Sequence, residues 1–174
     1  MIGSPRNTVQ LVPHHGSWAR VFAKEKKRIK KALGDSVVDI QHIGSTSIPQ
    51  IHAKPIIDII IGVHTIEKAG LLTKPLKHLG YEYMRDRGNP RVRLFFAKGP
   101  HTRHTHHLHI VKYNGKVWRA HTSFARYLRT HKHWAKKYEV LKKKLAQKFE
   151  HDRDSYTSGK APFIQQVMRK ARGA

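Results

Sequence analysis

The residues that could do chemistry begin at His42-Ile43-Gly44-Ser45-Thr46-Ser47-Ile48-Pro49 and continue in Ala53-Lys54-Pro55-Ile56-Ile57-Asp58-Ile59. Gly44 lets the backbone approach a ligand closely, and free N–H groups at the start of a helical turn favour an anion. The hydroxyls of Ser45, Thr46 and Ser47 add donors, so the loop is expected to hold a phosphate or nucleotide. The plainer alternative is that Ser45 or Ser47 caps a short helix. Lys54 stands before Pro55, which forces an extended approach to the next strand. Its amine could neutralise a phosphate, pair with Asp58 or remain a surface charge. Asp58 interrupts the apolar run Ile56 to Val63. A carboxylate there needs a partner: a divalent metal, the Gly44 loop or Lys54. Loop, lysine and carboxylate together are the skeleton of a nucleotidyl-transfer site. One part is missing. Alternation along a strand gives residue 60 the same direction as Asp58, and residue 60 is Ile60. Two magnesium ions bridging a triphosphate ordinarily call on more than one carboxylate. Asp58 alone could hold one metal, helped by substrate phosphates.

The second chemical feature is the series His104, His106, His107 and His109. In a strand His107 and His109 share a face, and His106 and Leu108 take the other. His107 and His109 are expected to point together into a cleft near Asp58, with His42 joining them from the end of the strand before the loop. Asp58, His107 and His109 then form a candidate metal set for magnesium, zinc or manganese. The imidazoles could equally act as general base or phosphate-binding cation, or form a structural stack bonded to loop backbone. The expected catalytic group is Asp58, Lys54, His107 and His109. The expected phosphate or nucleotide site is His42, Gly44, Ser45, Thr46, Ser47 and Lys54. Tyr156 and Lys160 could close over the cleft. Arg91, Arg93 and Arg103 flank the strand hairpin and could reach phosphates, although a solvated face is the plainer reading. The aromatic residues Tyr127, Trp134, Tyr138 and Phe149 read as core.

These residues need elements to position them. Trp18, Val21, Phe22, Glu25, Ile29 and Leu33 recur at helical spacing from Ser17 to Leu33, apolar except for Glu25, and Gly34 follows as a stop. Val37 to Ile43 reads as a strand. Ile56 to Val63, apolar on both faces, reads as a central strand. A helix carrying Leu71, Leu72, Leu76 and Leu79, broken near Pro75, ends at Gly80. Strands follow at 81–85, 92–98 and 106–113, and Gly88-Asn89-Pro90 turns between the first two. Beyond Gly115 the pattern is helical. Residues 1–8 read as a loose start. The order predicts an α+β (α/β) domain over residues 1–174: a mixed sheet with helices packed on one side, and a helical tail.

Composition bounds the function. The 174 residues contain 35 Lys and Arg against 11 Asp and Glu, a formal charge of +24, and no cysteine. Disulfides, thiolate metal sites and a cysteine nucleophile are therefore excluded. No stretch approaches the ~18 apolar residues of a membrane span. The start lacks a signal-peptide pattern, and a cytoplasmic protein is expected. The charge would attract polyanions such as RNA, and on charge alone a basic RNA-associated accessory protein is a further reading. That charge is spread along the whole chain, however, and speaks to non-specific attraction. Oligomeric state, substrate and acceptor do not follow from these residues.

The stretch Gln41 to Ile59 resembles the signature of the GrpB family, and the resemblance covers nearly the whole chain. Trp18, Phe22 and Glu25 match its first helix. His106-His107-Leu108-His109-Ile110-Val111 matches its histidine-rich strand. Phe124, Tyr127, Leu128, Arg129, Tyr138 and Lys142 match its helical tail. Gln50-Ile51 replaces the usual Gly-Leu, and Ala125-Arg126 stands where Arg-Asp is frequent. The resemblance implies a nucleotidyltransferase-like fold, in which a Gly-Ser turn cradles the triphosphate and carboxylates follow on a strand. It implies a nucleotide or phosphometabolite ligand and metal-dependent nucleotidyl or phosphoryl transfer. The alternative is a non-catalytic binder that lost the second carboxylate. Some relatives are fused to a dephospho-coenzyme A kinase domain, which makes a link to coenzyme A metabolism conceivable.

Overall fold

The computed structural model describes residues 2–5 and 8–172. The elements follow in the order β1 (Ser4–Pro5), α1 (Ser17–Leu33), β2 (Asp39–Ile43), β3 (Ile57–Val63), α2 (Thr73–His78), β4 (Tyr81–Tyr83), β5 (Arg93–Lys98), β6 (Arg103–His104), β7 (His106–Lys112), α3 (Lys116–Thr130), α4 (Lys132–Lys148), α5 (Arg153–Ser158) and α6 (Ala161–Arg172). Single 3₁₀ turns stand at Gly34–Ser36 and Ser45–Ser47, and a longer 3₁₀ stretch at Glu67–Leu72 leads into α2.

Five strands form a sheet in the order β2-β3-β7-β5-β4. The β3–β7 pair is parallel and the others antiparallel, so the sheet is mixed, as expected. Two short strands were not anticipated: β1 pairs with β6, Ser4 opposite His104. Ser4 and Pro5 thus belong to structure within the segment read as a loose start. Residues 1, 6 and 7 of that segment lie outside the described residues, as do 173 and 174.

Helices cover both faces of the sheet, where the sequence pointed to one side. Alternation sets the division. Ile40, Ile57, Ile59, Ile61, Leu94, Phe96, Leu108 and Ile110 face one way and pack with Trp18, Ile29, Leu33 and Leu76 of α1 and α2. At about 25 cal/mol per Å² of apolar surface, this layer is the main source of stability. Glu25, the polar exception on α1, is buried here and ion-pairs with Lys98 of β5 at 2.6 Å and Arg28 at 3.1 Å. On the other face Ile43, Ile60 and Val111 pack with Trp118 of α3. A further apolar cluster joins Ile48 and Ile51 to Tyr127, Leu128, Ala135, Tyr138 and Val167 of the tail helices. No described helix is long and apolar enough to cross a membrane.

The functional consequence is the register. Asp58 pairs with His107, Ile60 with His109, and Phe95 with His109 across the next ladder. Asp58, His107, His109 and Phe95 therefore share the face under α3, beside the α4–α6 tail.

Candidate functional site

A cavity of about 450 Å³ lies between that face and the helices. Its floor carries Asp58, His107, His109, Phe95 and Arg93. Gly44 and Ser45 form one wall with Lys54. Ala120, His121 and Phe124 come from α3, and Tyr138 from α4. Arg153, Tyr156, Thr157, Lys160, Ile164 and Met168 come from α5, α6 and the turn between them, and Arg87 from the turn after β4.

Asp58 is the only residue of β3 that is not fully buried, its side chain 28% exposed. Its Oδ1 lies 3.2 Å from Nδ1 of His107, which donates to it in the tautomer bearing that proton. Burial raises its carboxyl pKa. The His107 hydrogen bond and the charges of His107, His109 and Lys54 outweigh burial and hold it below the ordinary carboxylate value. Asp58 is therefore an anion at neutral pH.

Gly44 explains itself at this site. Its φ of 68° and ψ of −176° fall in a region essentially confined to glycine. A Cβ there would lie 2.2 Å from Asp58 Oδ2. The loop that follows is a three-residue 3₁₀ turn, and two of its three hydroxyls are already committed. Ser47 Oγ donates to Gly44 O at 2.7 Å, and Thr46 Oγ1 donates to Ile56 O at 2.9 Å. Arg129 of α3 clamps the turn, donating to Ser47 O at 2.9 Å and to His42 O. Only Gly44 and Ser45 of this loop reach the cavity. Ser45 sits against Tyr138, whose hydroxyl burial pushes up to about 12 and keeps neutral.

His42 does not join the cluster. It pairs with Ile59 and so faces α1, where its ring stacks on Phe22 at 4.8 Å. Its Nε2 meets Thr46 Oγ1 at 3.0 Å, and burial above all lowers its pKa to about 4. His106 also faces away, as alternation requires. Burial leads in lowering it to about 4, and its Nδ1 meets Thr105 Oγ1 at 2.8 Å.

His107 and His109 do enter together. His109 is buried, with Nδ1 lacking a hydrogen-bond partner, and its ring lies 5.4 Å from that of His121. Burial, then the charge of His121, keeps His109 well below its ordinary value, and burial and Arg93 lower His121. Both are neutral imidazoles at pH 7. Among the described residues, no group of three or more His, Asp or Glu side chains is placed to hold a metal ion. The set Asp58, His107 and His109 is thus a hydrogen-bonded pair beside a buried imidazole rather than a convergent triad, and Ile60 supplies nothing further.

The positive groups are the larger surprise. Lys54, Arg87, Arg93, Arg153 and Lys160 all line the cavity, where Asp58 is the only lining carboxylate among the described residues. Burial, then Arg153 and Lys160, push the Lys54 amine down to about 7. Burial chiefly lowers Lys160 to about 8. Tyr156 and Lys160 take the positions expected over the cleft. Tyr138 is core, as its spacing indicated, and also borders the cavity, while Arg93 lines the cavity rather than a solvated face. Arg87, Arg153 and His121 were not singled out at all. A signal for His121 existed: it lies three residues from both Trp118 and Phe124, on the inward face of α3. The arginines offered none, because each comes from a different turn or strand end.

Comparison with known proteins places these features in a lineage. The GrpB protein family matches residues 8–170. The glutamate-rich protein GrpB of Alkalihalophilus pseudofirmus is 39% identical over 98% of this chain and 99% of its own length. The UPF0157 protein YqkA of Bacillus subtilis is 37% identical over 97% of this chain, which spans 48% of that protein. The crystal structure of the conserved protein GrpB from Enterococcus faecalis superimposes with a TM-score of 0.84. It is 36% identical, and the match covers 93% of this chain and 96% of that one.

Proposed function

The chain belongs to the GrpB family, and we propose that its cavity binds a nucleotide or a related phosphorylated metabolite. One observation carries this reading: five cationic side chains from separate segments surround a cavity that holds one carboxylate. Such a concentration of like charge attracts an anion. The glycine-lined wall at Gly44 and Ser45 admits a ligand close to the backbone. The apolar wall of Phe124, Ile164 and Met168 suits a base or an alkyl arm. A dephospho-coenzyme A-type compound, with adenosine, pyrophosphate and a flexible arm, is one member of the class and connects to the coenzyme A link implied by resemblance.

Binding is the leading reading and transfer the second. The Asp58–His107 hydrogen bond favours transfer. A carboxylate that orients an imidazole can set it up as a general base, and Lys54 would steady the phosphate being attacked. The metal pair expected of a nucleotidyltransferase-like site does not find its donors here, since Ile60 replaces the second carboxylate and no three-donor group is present among the described residues. No step is assigned to a metal.

The test is a melting-point screen against nucleoside triphosphates and dephospho-coenzyme A with magnesium, manganese and zinc, followed by assays of pyrophosphate release with wild type and Asp58→Asn. Stabilisation by phosphorylated compounds supports binding. Turnover that Asp58→Asn abolishes supports transfer. Stabilisation without turnover under any metal leaves binding alone, and no stabilisation by any compound removes both readings.

A further inference from the structure

Two of the cationic side chains lie over one ring, and two more line the same cavity. Lys54 and Lys160 lie over Tyr156, 5.1 and 4.4 Å from its centroid. Arg87 and Arg153 are near enough for their charge to act on the Lys54 amine, and all four line the cavity. They come from the approach to β3, the turn after β4, the start of α5 and the turn before α6. Their meeting is a product of tertiary folding, not of a basic run in the sequence.

Asp58 offsets one of these charges and is itself engaged. Its Oδ1 accepts from His107, while Oδ2 lies so close to Gly44 that even a Cβ there would collide with it. Magnesium prefers a complete octahedron of oxygens. Here it would find one crowded carboxylate, an isoleucine at residue 60, and four cations repelling it.

We infer that the cavity takes the phosphate end of its ligand as a free polyanion, without a divalent cation, and that Lys54, Arg87, Arg153 and Lys160 supply the neutralising charge. This rests on the phosphate-binding reading and goes beyond it in naming the ionic form of the ligand. It also selects the class. A di- or triphosphate chain carries enough oxygens to reach all four cations, whereas a monophosphate reaches fewer of them. Magnesium complexation removes charge from the ligand and so weakens its attraction to the cluster.

The full chain is titrated calorimetrically with inorganic tripolyphosphate and with ATP, in excess EDTA and in excess magnesium. Both probes bind in EDTA, and magnesium weakens each about ten-fold. Arg87→Gln lies on an exposed turn where folding is least disturbed. This variant and Lys160→Gln each weaken binding in EDTA about ten-fold. Binding that requires magnesium, or is equal in the two buffers, overturns the inference and leaves phosphate binding standing. Failure of both probes to bind in either buffer overturns the inference together with the reading beneath it.

Discussion

Gly44 and Asp58 are in contact in a way that only glycine permits: a Cβ on residue 44 would stand 2.2 Å from the Asp58 carboxylate. The loop and the charged strand therefore form one rigid unit, with Gly44 held at φ 68°, ψ −176°. Gly44→Ala is expected to cost about 3 kcal/mol, combining backbone strain with the collision. Adding Asp58→Ala removes the collision but not the strain, so the double variant should lose less than the sum of the single losses. Denaturant unfolding of the four proteins checks this. A Gly44→Ala variant as stable as wild type would show that the contact does not constrain the site.

Asp58 also has a charge role with an opposite sign for ligand and for stability. In the ionised form it offsets the surrounding cations, and its pKa is held below the ordinary carboxylate value. Its contribution to stability is therefore present above about pH 4 and disappears as pH falls through the lower folded value. Asp58→Asn should be destabilised at pH 7 yet bind tripolyphosphate in EDTA more tightly, because one repelling charge is gone. Unfolding curves and titrations on the same preparation report both. Weaker binding in EDTA would mean that the carboxylate itself contacts the ligand.

The lysines make binding take up protons. In the free protein Lys54 lies at about 7 and Lys160 at about 8, burial being the first cause for each. Arg153, Lys160 and Arg87 lower Lys54 further and Arg153 lowers Lys160, while Asp58 opposes the shift in both. An entering phosphate favours the ammonium forms and raises both values. Between the free and bound values binding absorbs protons, and affinity falls as pH rises through about 7 to 9. Calorimetry in buffers of different ionisation enthalpy should show uptake at pH 8 that Lys54→Met and Lys160→Met each reduce. Binding enthalpies independent of the buffer would contradict the coupling.

A second charged unit fastens the tail helices to the loop beyond the site. Glu139 of α4 is buried and accepts from His52 N at 3.0 Å, from the His52 ring at 2.5 Å and from Lys136 at 2.7 Å. Lys142 donates to His52 O. Burial raises the Glu139 carboxyl, but these hydrogen bonds outweigh it and bring it to about 2. Glu139→Gln should cost about 2–3 kcal/mol at pH 7. The difference from wild type is full above the unfolded value of about 4.5 and vanishes as pH falls through about 2. Paired unfolding curves between pH 7 and 2 measure it. A penalty that does not shrink on acidification would assign the loss to packing rather than charge.

Much of this was legible in strand alternation. The apolar run with one carboxylate became β3, and the parity of His107 and His109 placed both beside Asp58. What alternation could not give was which strand lay next to which. The antiparallel register of β2 turns His42 toward α1, and the pairing of β5 with β7 brings Arg93 to the cavity. Thr46 and Ser47 resembled ligand donors by type, but their hydroxyls are already bonded to the Ile56 and Gly44 carbonyls. Arg87 and Arg153 were hidden for a different reason. In a chain with 35 basic residues, no local pattern separates the few that converge from those that stay in solvent.

The most direct measurement is a calorimetric titration of ATP into the wild-type chain beside the double variant Lys54→Met/Lys160→Met. The account predicts saturable binding by wild type at one site per chain, and at least a hundred-fold loss in the double variant, about ten-fold for each charge removed. Equal affinity in the two proteins would place the nucleotide elsewhere on the basic surface and contradict the assignment of this cavity.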